Sequence, residues 1–108
     1  MSHRTEKMSS WIRERVALFF SLNLKVRGGI ITVSRVELDS DLTKAKILIT
    51  VYPEKFENEV VMKLKNLKNN FVEYVKKDFK MKKLPSFKFE IDEGEKKRMK
   101  IEELLGKK

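Results

Sequence analysis

Apolar residues near the start of the chain recur at spacings of three and four, which is the period of one helix face. The charged residues Arg13, Glu14 and Arg15 fall on the opposite side. This pattern predicts a first, amphipathic helix over residues 2–22. Its apolar stripe consists of Met8, Trp11, Ile12, Val16, Phe19 and Phe20.

Two β-strands are predicted after a break at Gly28 and Gly29. Residues 30–38 are rich in β-branched side chains, which crowd a helix but fit a pleated strand. Residues 45–52 alternate between the two faces of a strand. Because the Asp, Ser and Thr residues of segment 39–44 favour turns, we expect an antiparallel hairpin with a polar loop.

A second helical region is predicted after Pro53, which ends the strand because it has no backbone N–H to donate. Two apolar runs are separated by Asn69 and Asn70, and Asn tolerates the left-handed conformation that ends a helix. We therefore predict two helices that meet at a kink. The first run is Phe56, Val60, Leu64, Leu67 and Phe71, and the second is Tyr74, Val75 and Phe79.

A third strand is predicted after Leu84 and Pro85, because a proline restricts the residue before it and stops a helix. Phe87, Phe89 and Ile91 alternate there with Lys88 and Glu90. The element order is helix, strand, strand, helix, helix, strand. It predicts a single α+β domain, a two-layer sandwich in which helices cover one face of a three-stranded sheet.

The predicted domain spans residues 1–92, and residues 93–108 form a charged C-terminal tail. The tail is mostly charged, and its few apolar residues allow at most a short peripheral helix. We expect it to be frayed and partly disordered.

The aromatic residues divide into core and surface candidates. Six of them lie on the apolar stripes, where core packing is the expected role. They are Trp11, Phe19, Phe20, Phe71, Phe87 and Phe89. Tyr52 lies on the polar side of its strand and is a surface candidate.

The positive charge is concentrated in one quarter of the chain. The 108 residues carry a net charge of +9, of which residues 60–84 supply +6 from eight lysines and two acidic residues. A solvated helix face and a surface for a polyanion are both compatible with this composition. The eight lysines are Lys63, Lys65, Lys68, Lys76, Lys77, Lys80, Lys82 and Lys83.

Little in the sequence points to catalysis. The chain has no Cys and a single His, His3 near the terminus, so nucleophile–base pairs are not available. Asp39 and Asp41 form an Asp-x-Asp pair, which in a hairpin loop is typical of turn chemistry rather than of a metal site. We expect no enzyme activity, no cofactor, no metal and no small-molecule substrate.

No membrane segment is expected either. Charged residues interrupt the apolar stretches well before the roughly 18 residues that a membrane span needs. An N-terminal secretion signal is not visible. We therefore expect a cytoplasmic protein that does not bind membranes.

Several segments in order resemble the ribosome-binding factor A family, a group of bacterial small-subunit maturation factors. The strongest match is residues 32–47, which are similar to the family's first hairpin, with Thr32-Val33-Ser34, an Asp41-Leu42 turn and an Ala45-Lys46 return strand. Residues 13–17, residues 84–92 with their closing Asp92, and the final Leu104-Leu105 are also similar to family segments. The resemblance covers nearly the whole chain.

The resemblance implies a type II KH-like fold, whose element order is the one predicted above. KH domains normally carry a Gly-x-x-Gly loop, and no two glycines here are spaced in that way. The family has an Ala-x-Gly helix kink at that place, and Leu67, Lys68 and Asn69 align with it.

The resemblance also implies a function: association with the small (30S) ribosomal subunit and assistance in late maturation of 16S rRNA. The chain would act as a monomer. The residues that we then expect to contact RNA phosphates are Arg27, Lys68, Asn69, Asn70, Lys76, Lys77, Lys80, Lys82 and Lys83. Two alternatives stay open, a general basic RNA-binding chaperone and a protein-interaction adaptor that uses its lysine-rich face.

Overall fold

The computed structural model describes residues 3–24, 26–77 and 84–106. These residues form three α-helices, three β-strands and one short 3₁₀ turn at Glu54–Phe56. The helices are α1 (His3–Asn23), α2 (Glu57–Lys76) and α3 (Glu93–Gly106). The strands are β1 (Ile30–Leu38), β2 (Lys44–Tyr52) and β3 (Ser86–Ile91). The α+β architecture and all three strands are confirmed.

The sheet has the order β1-β2-β3, so β2 is its central strand. β1 pairs with β2 in antiparallel fashion, with Ile30 opposite Tyr52. β3 pairs with β2 in parallel fashion, with Ala45 opposite Phe87. The β1–β2 register shifts between Val33 and Arg35, which leaves Ser34 at a β-bulge.

The hairpin turn is built by Asp39, as the polar loop predicts. Its carboxylate accepts hydrogen bonds from the Thr43 backbone N–H and hydroxyl and from the Lys44 N–H, each at 2.9 Å. The Lys44 bond is the main cause that lowers the pKa of Asp39. Asp41 bonds to the same Thr43 hydroxyl at 2.9 Å. Both carboxylates are therefore used in the turn.

The core lies between the sheet and the helices α1 and α2. Phe71 at its centre is fully buried, and its ring centroid lies 5.3 Å from that of Phe19, 5.1 Å from that of Phe87 and 5.6 Å from that of Phe89. Such edge-to-face packing is favourable for aromatic rings. The prediction of an aromatic core is confirmed, and Tyr52 is exposed at 57%.

The structure has one helix where two helices meeting at a kink were predicted, and the kink at Leu67, Lys68 and Asn69 stays a prediction. α2 is one continuous helix through Leu67, Lys68 and Asn69, and among the described non-glycine residues only Leu42 has a positive φ. The apolar stripe keeps one phase across the Asn pair, since Leu64 and Phe71 are both buried. Burial of this stripe outweighs the modest helix propensity of Asn.

The expected frayed tail is instead helical over Glu93–Gly106, a 14-residue helix without buried residues. Asp92 caps it by accepting the Glu95 backbone N–H at 3.0 Å. Lys96 holds it to the body of the fold through ion pairs with Glu54 at 3.0 Å and Glu57 at 2.9 Å. The sequence did not show that Glu54 and Glu57 are the partners of Lys96. The domain boundary at residue 92 stays a prediction.

Candidate nucleic-acid interface

Helix α2 turns a lysine-rich side to solvent. Its other side is held against the core by Val60, Leu64, Phe71 and Val75, which are buried. Side chains opposite this stripe must therefore point outward. We call the exposed polar residues of α2 outside this stripe the lysine face: Lys65, Lys68, Asn69, Asn70, Lys76 and Lys77. At about 100° per residue they extend around more than half of the helix, with Lys68 and Lys77 on opposite flanks of the stripe.

Three lysines of this face carry charge that is not neutralised nearby. Within the described part of the chain, Lys65, Lys68 and Lys77 form no ion pair with a carboxylate. Unpaired exposed lysines create a local positive potential, which attracts a polyanion. The negatively charged phosphates of a nucleic-acid backbone are attracted to such a potential.

Lys76 differs from its neighbours, because its Nζ lies 3.6 Å from a Glu73 carboxylate oxygen. Both side chains are largely exposed, at 61% and 72%. An exposed pair of this kind contributes little free energy. Lys76 is therefore able to exchange Glu73 for a phosphate.

A groove between α2 and β3 runs beside the lysine face. Its volume is about 190 Å³, and its apolar lining includes Ile49, Leu64 and Phe89. Lys65 and Lys68 line the same groove. The groove joins lysines to an apolar surface, which are the groups that contact the phosphates and the bases of a nucleotide strand. The carboxylate of Glu90 also lines it.

Lys65 also lines the groove, although it was not among the residues predicted to contact RNA. Its signal was its spacing of three from Lys68, which places both on neighbouring positions of one helix side. Lys88 also lines the groove from β3, where its Nζ pairs with Glu90 at 3.1 Å. The position of Lys88 follows from the β2–β3 pairing, which the sequence alone did not reveal.

The structure does not bring Arg27 to the lysine face. Arg27 lies in the turn before β1 and lines a different groove, between α1 and β1. β1 and β3 are opposite edges of the sheet. Arg27 and the α2 lysines thus occupy separate places on the molecule.

Some predicted residues lie outside the described part of the chain, namely Lys80, Lys82 and Lys83. His3 begins α1, and its side chain is also outside that part. Residues 3–24, 26–77 and 84–106 contain no cluster of three metal-ligating side chains. The helices among these residues are too short or too polar to cross a membrane.

The family comparison matches nearly the whole chain. Residues 4–105 match the family model described as Ribosome-binding factor A. A ribosome-binding factor A of Thermodesulfovibrio yellowstonii is 31% identical over 104 residues, which cover 94% of this chain and 87% of that protein.

Two solved structures share the fold. The crystal structure of ribosome-binding factor A from Thermus thermophilus has a TM-score of 0.69 at 17% identity and covers 81% of this chain and 94% of that one. The solution structure of a Thermotoga maritima protein, described as a ribosome binding factor A, has a TM-score of 0.69 at 22% identity. It covers 83% of this chain and 88% of that one.

Proposed function

The chain belongs to the ribosome-binding factor A family, and we propose on this basis that it binds the small (30S) ribosomal subunit and assists late maturation of 16S rRNA. The observation that carries the proposal is the lysine face. It offers unpaired cations on one rigid helix, next to a groove with an apolar floor. For a protein that binds the ribosome, ribosomal RNA is the polyanion that these cations can contact.

The lysine face binds the RNA backbone rather than individual bases. Lysine ammonium groups neutralise phosphates and release counterions, which gives affinity without reading the sequence. Lys68, Lys76 and Lys77 fix the position of the protein on the RNA, and Lys65 joins them at the groove. Lys80, Lys82 and Lys83 extend the same basic segment in the sequence.

Asn69 and Asn70 are exposed within this face and offer amide groups to the RNA. They follow Lys68 on the continuous helix and point away from it, at about 100° and 200° around the helix axis. In this proposal Lys68 and Asn69 contact the RNA from a continuous helix, and Leu67 packs against the core beneath them.

The protein acts by binding, without chemistry of its own. A protein shifts an RNA equilibrium only as far as it prefers one conformer over another. The factor binds a maturing conformation of 16S rRNA and leaves when the mature conformation weakens its site. This role needs no cofactor and no small-molecule substrate. In this proposal the protein acts as a monomer in the cytoplasm, together with the ribosome.

Co-sedimentation in sucrose gradients tests the proposal. The full chain is mixed with immature small subunits, mature small subunits or whole ribosomes at near-physiological salt. We expect the protein to travel with small subunits and to be absent from whole ribosomes. Equal binding to all three particles would show a general RNA chaperone, and binding to none would show a protein adaptor; each result contradicts the proposal.

A further inference from the structure

The outer edge of β1 lies at the opposite edge of the sheet from β3. β1 pairs only with β2 among the described strands, so its other edge has no neighbouring strand. A free edge presents a row of backbone N–H and C=O groups. At nine residues this edge is longer than an average strand.

The bulge at Ser34 divides this edge into two parts. A bulge disrupts the ladder and ends regular pairing. Regular edge geometry is therefore confined to the first part, residues 30–33. The Val33 carbonyl in this part accepts a long hydrogen bond of 3.5 Å from Arg13 on α1, so a side chain takes the place that a neighbouring strand would have.

A groove of about 910 Å³ lies between α1 and this part of β1. Its walls are largely apolar, with Ala17, Phe20 and Leu24 from α1 and Ile31 and Val33 from β1. Side chains of a strand that pairs with β1 alternate between the faces of the sheet, so every second one enters this groove.

The charged side chains that line the groove are both positive. Arg13 and Arg27 line it, and no carboxylate does so among the described residues. Neither arginine forms an ion pair within the described part of the chain. An adjoining groove shares Arg13 with this one and is lined by Asp92, Glu95 and Glu102, so the positive charge without nearby carboxylates lies toward Arg27. A ligand with a carboxylate at that end, near its apolar side chains, complements this rim.

We propose that the free edge of β1 at residues 30–33, together with the α1–β1 groove, binds an extended segment of a partner protein, with apolar side chains at alternate positions and an acidic residue facing Arg13 or Arg27. The alternating backbone donors and acceptors of the edge match another peptide backbone, whereas a nucleic acid offers no such ladder. In this role Arg27 binds a carboxylate, in place of the phosphate expected from the sequence.

Nuclear magnetic resonance of the full chain, labelled with ¹⁵N, tests the proposal. The probe is a pool of acetylated peptides in which Val, Ile, Leu or Phe alternates with Thr and an Asp or Glu stands at each end. We expect shifts of the amides of residues 30–33 and of the groove wall on α1. The same pool with N-methylated backbone amides cannot complete the ladder and should produce no shifts.

Two variants test the charge of the rim. Arg27→Gln and Arg13→Gln should each weaken binding of the pool by roughly two- to fivefold, as an exposed ion pair contributes about 1 kcal/mol or less. Lys7→Gln removes one charge from the exposed part of α1 outside the groove and should leave binding unchanged.

Four results would overturn the proposal. The first is the absence of shifts at residues 30–33 at the highest soluble concentration of the pool. The second is equal binding of the N-methylated pool, and the third is unchanged affinity in both arginine variants. The fourth is a single-stranded RNA that shifts residues 30–33 while the peptide pool does not, which would assign the groove to RNA.

Discussion

The Ser34 hydroxyl donates a hydrogen bond of 2.5 Å to the Asp92 carboxylate, across 58 positions of sequence. Asp92 is 6% exposed and also caps α3 through the Glu95 N–H. Arg35 Nε lies 3.6 Å from the same carboxylate. The hydrogen bond between Ser34 and Asp92 therefore joins the bulge of β1 to the end of β3 and to the beginning of α3.

Removal of the Ser34 hydroxyl tests the strength of this link. Ser34→Ala leaves a buried carboxylate oxygen without its donor, so we expect the free energy of unfolding to fall by about 1–2 kcal/mol. Urea denaturation measures the change. Ser86→Ala, at an exposed strand position, serves as the control and should change stability by less than about 0.5 kcal/mol. Equal effects of the two substitutions would show that the Ser34 bond contributes nothing.

The Asp92 carboxylate also gives the stability a pH dependence. The Ser34 hydroxyl, followed by the Glu95 backbone N–H, lowers the pKa of Asp92, because both bind its ionised form. A lowered pKa in the folded state stabilises the protein above the ordinary Asp value of about 3.9. This stabilisation is lost as the pH falls through the lowered value.

Comparison with Asp92→Asn over a range of pH isolates this contribution. We expect wild type to be more stable than the variant by a constant ~1–2 kcal/mol between neutral pH and about pH 5. The difference should shrink as the pH falls further. A difference that is independent of pH down to about pH 2 would contradict the lowered pKa.

The elements predicted best were those whose evidence is local. The strands and α1 follow from the spacing of apolar residues, and the Asp39 turn follows from its own side chain. The continuity of α2 depends on packing of its stripe against β3, which overrides the preference of Asn69. The helix α3 is capped locally by Asp92, but it is held to the fold by Lys96, whose partners Glu54 and Glu57 are distant in sequence.

The candidate site, too, was predicted only as far as local sequence evidence reaches. Composition indicated the basic segment, and helical spacing predicted that Lys76, Lys77 and Lys80 face solvent; Lys76 and Lys77 are exposed, and Lys80 lies outside the described residues. Lys68 was a candidate only through the family resemblance. The separation of Arg27 from these lysines depends on the strand order, in which β1 and β3 form opposite edges. Sequence spacing carries no information on that order.

Lys96 controls the attachment of α3. Glu57, followed by Glu54, raises the pKa of Lys96, as expected for an ammonium group held between carboxylates. Lys96→Gln removes this charge, and we expect amide hydrogen exchange in residues 93–106 to become several-fold faster while exchange in β2 is unchanged. The neighbouring Lys97→Gln, at an exposed position, should leave both unchanged. Uniform acceleration in β2 and α3 would show that α3 does not open separately.

The salt dependence of RNA binding tests the unpaired lysines. A triple variant, Lys65→Gln, Lys68→Gln and Lys77→Gln, should reduce the slope of log K against log salt for single-stranded RNA by about 2, since each lost phosphate contact removes about 0.7. The measurement is filter binding over a series of salt concentrations.

A matched variant controls for the change in net charge. Lys7→Gln, Lys44→Gln and Lys97→Gln remove three exposed lysines outside α2, which also have no carboxylate partner among the described residues. This variant should keep most of the wild-type slope. Equal loss of slope in both variants would mean that binding depends on net charge rather than on the lysine face.

Binding of the lysine face to the small subunit is the central claim, and charge reversal tests it most directly. Lys65, Lys68 and Lys77 are replaced together by Glu, and co-sedimentation with immature small subunits is compared with that of a variant with Glu at positions 7, 44 and 97. The two variants carry the same net charge. The account predicts that the α2 variant, folded as judged by its circular dichroism, no longer travels with the subunits while the control variant does. Undiminished co-sedimentation of the α2 variant would contradict it.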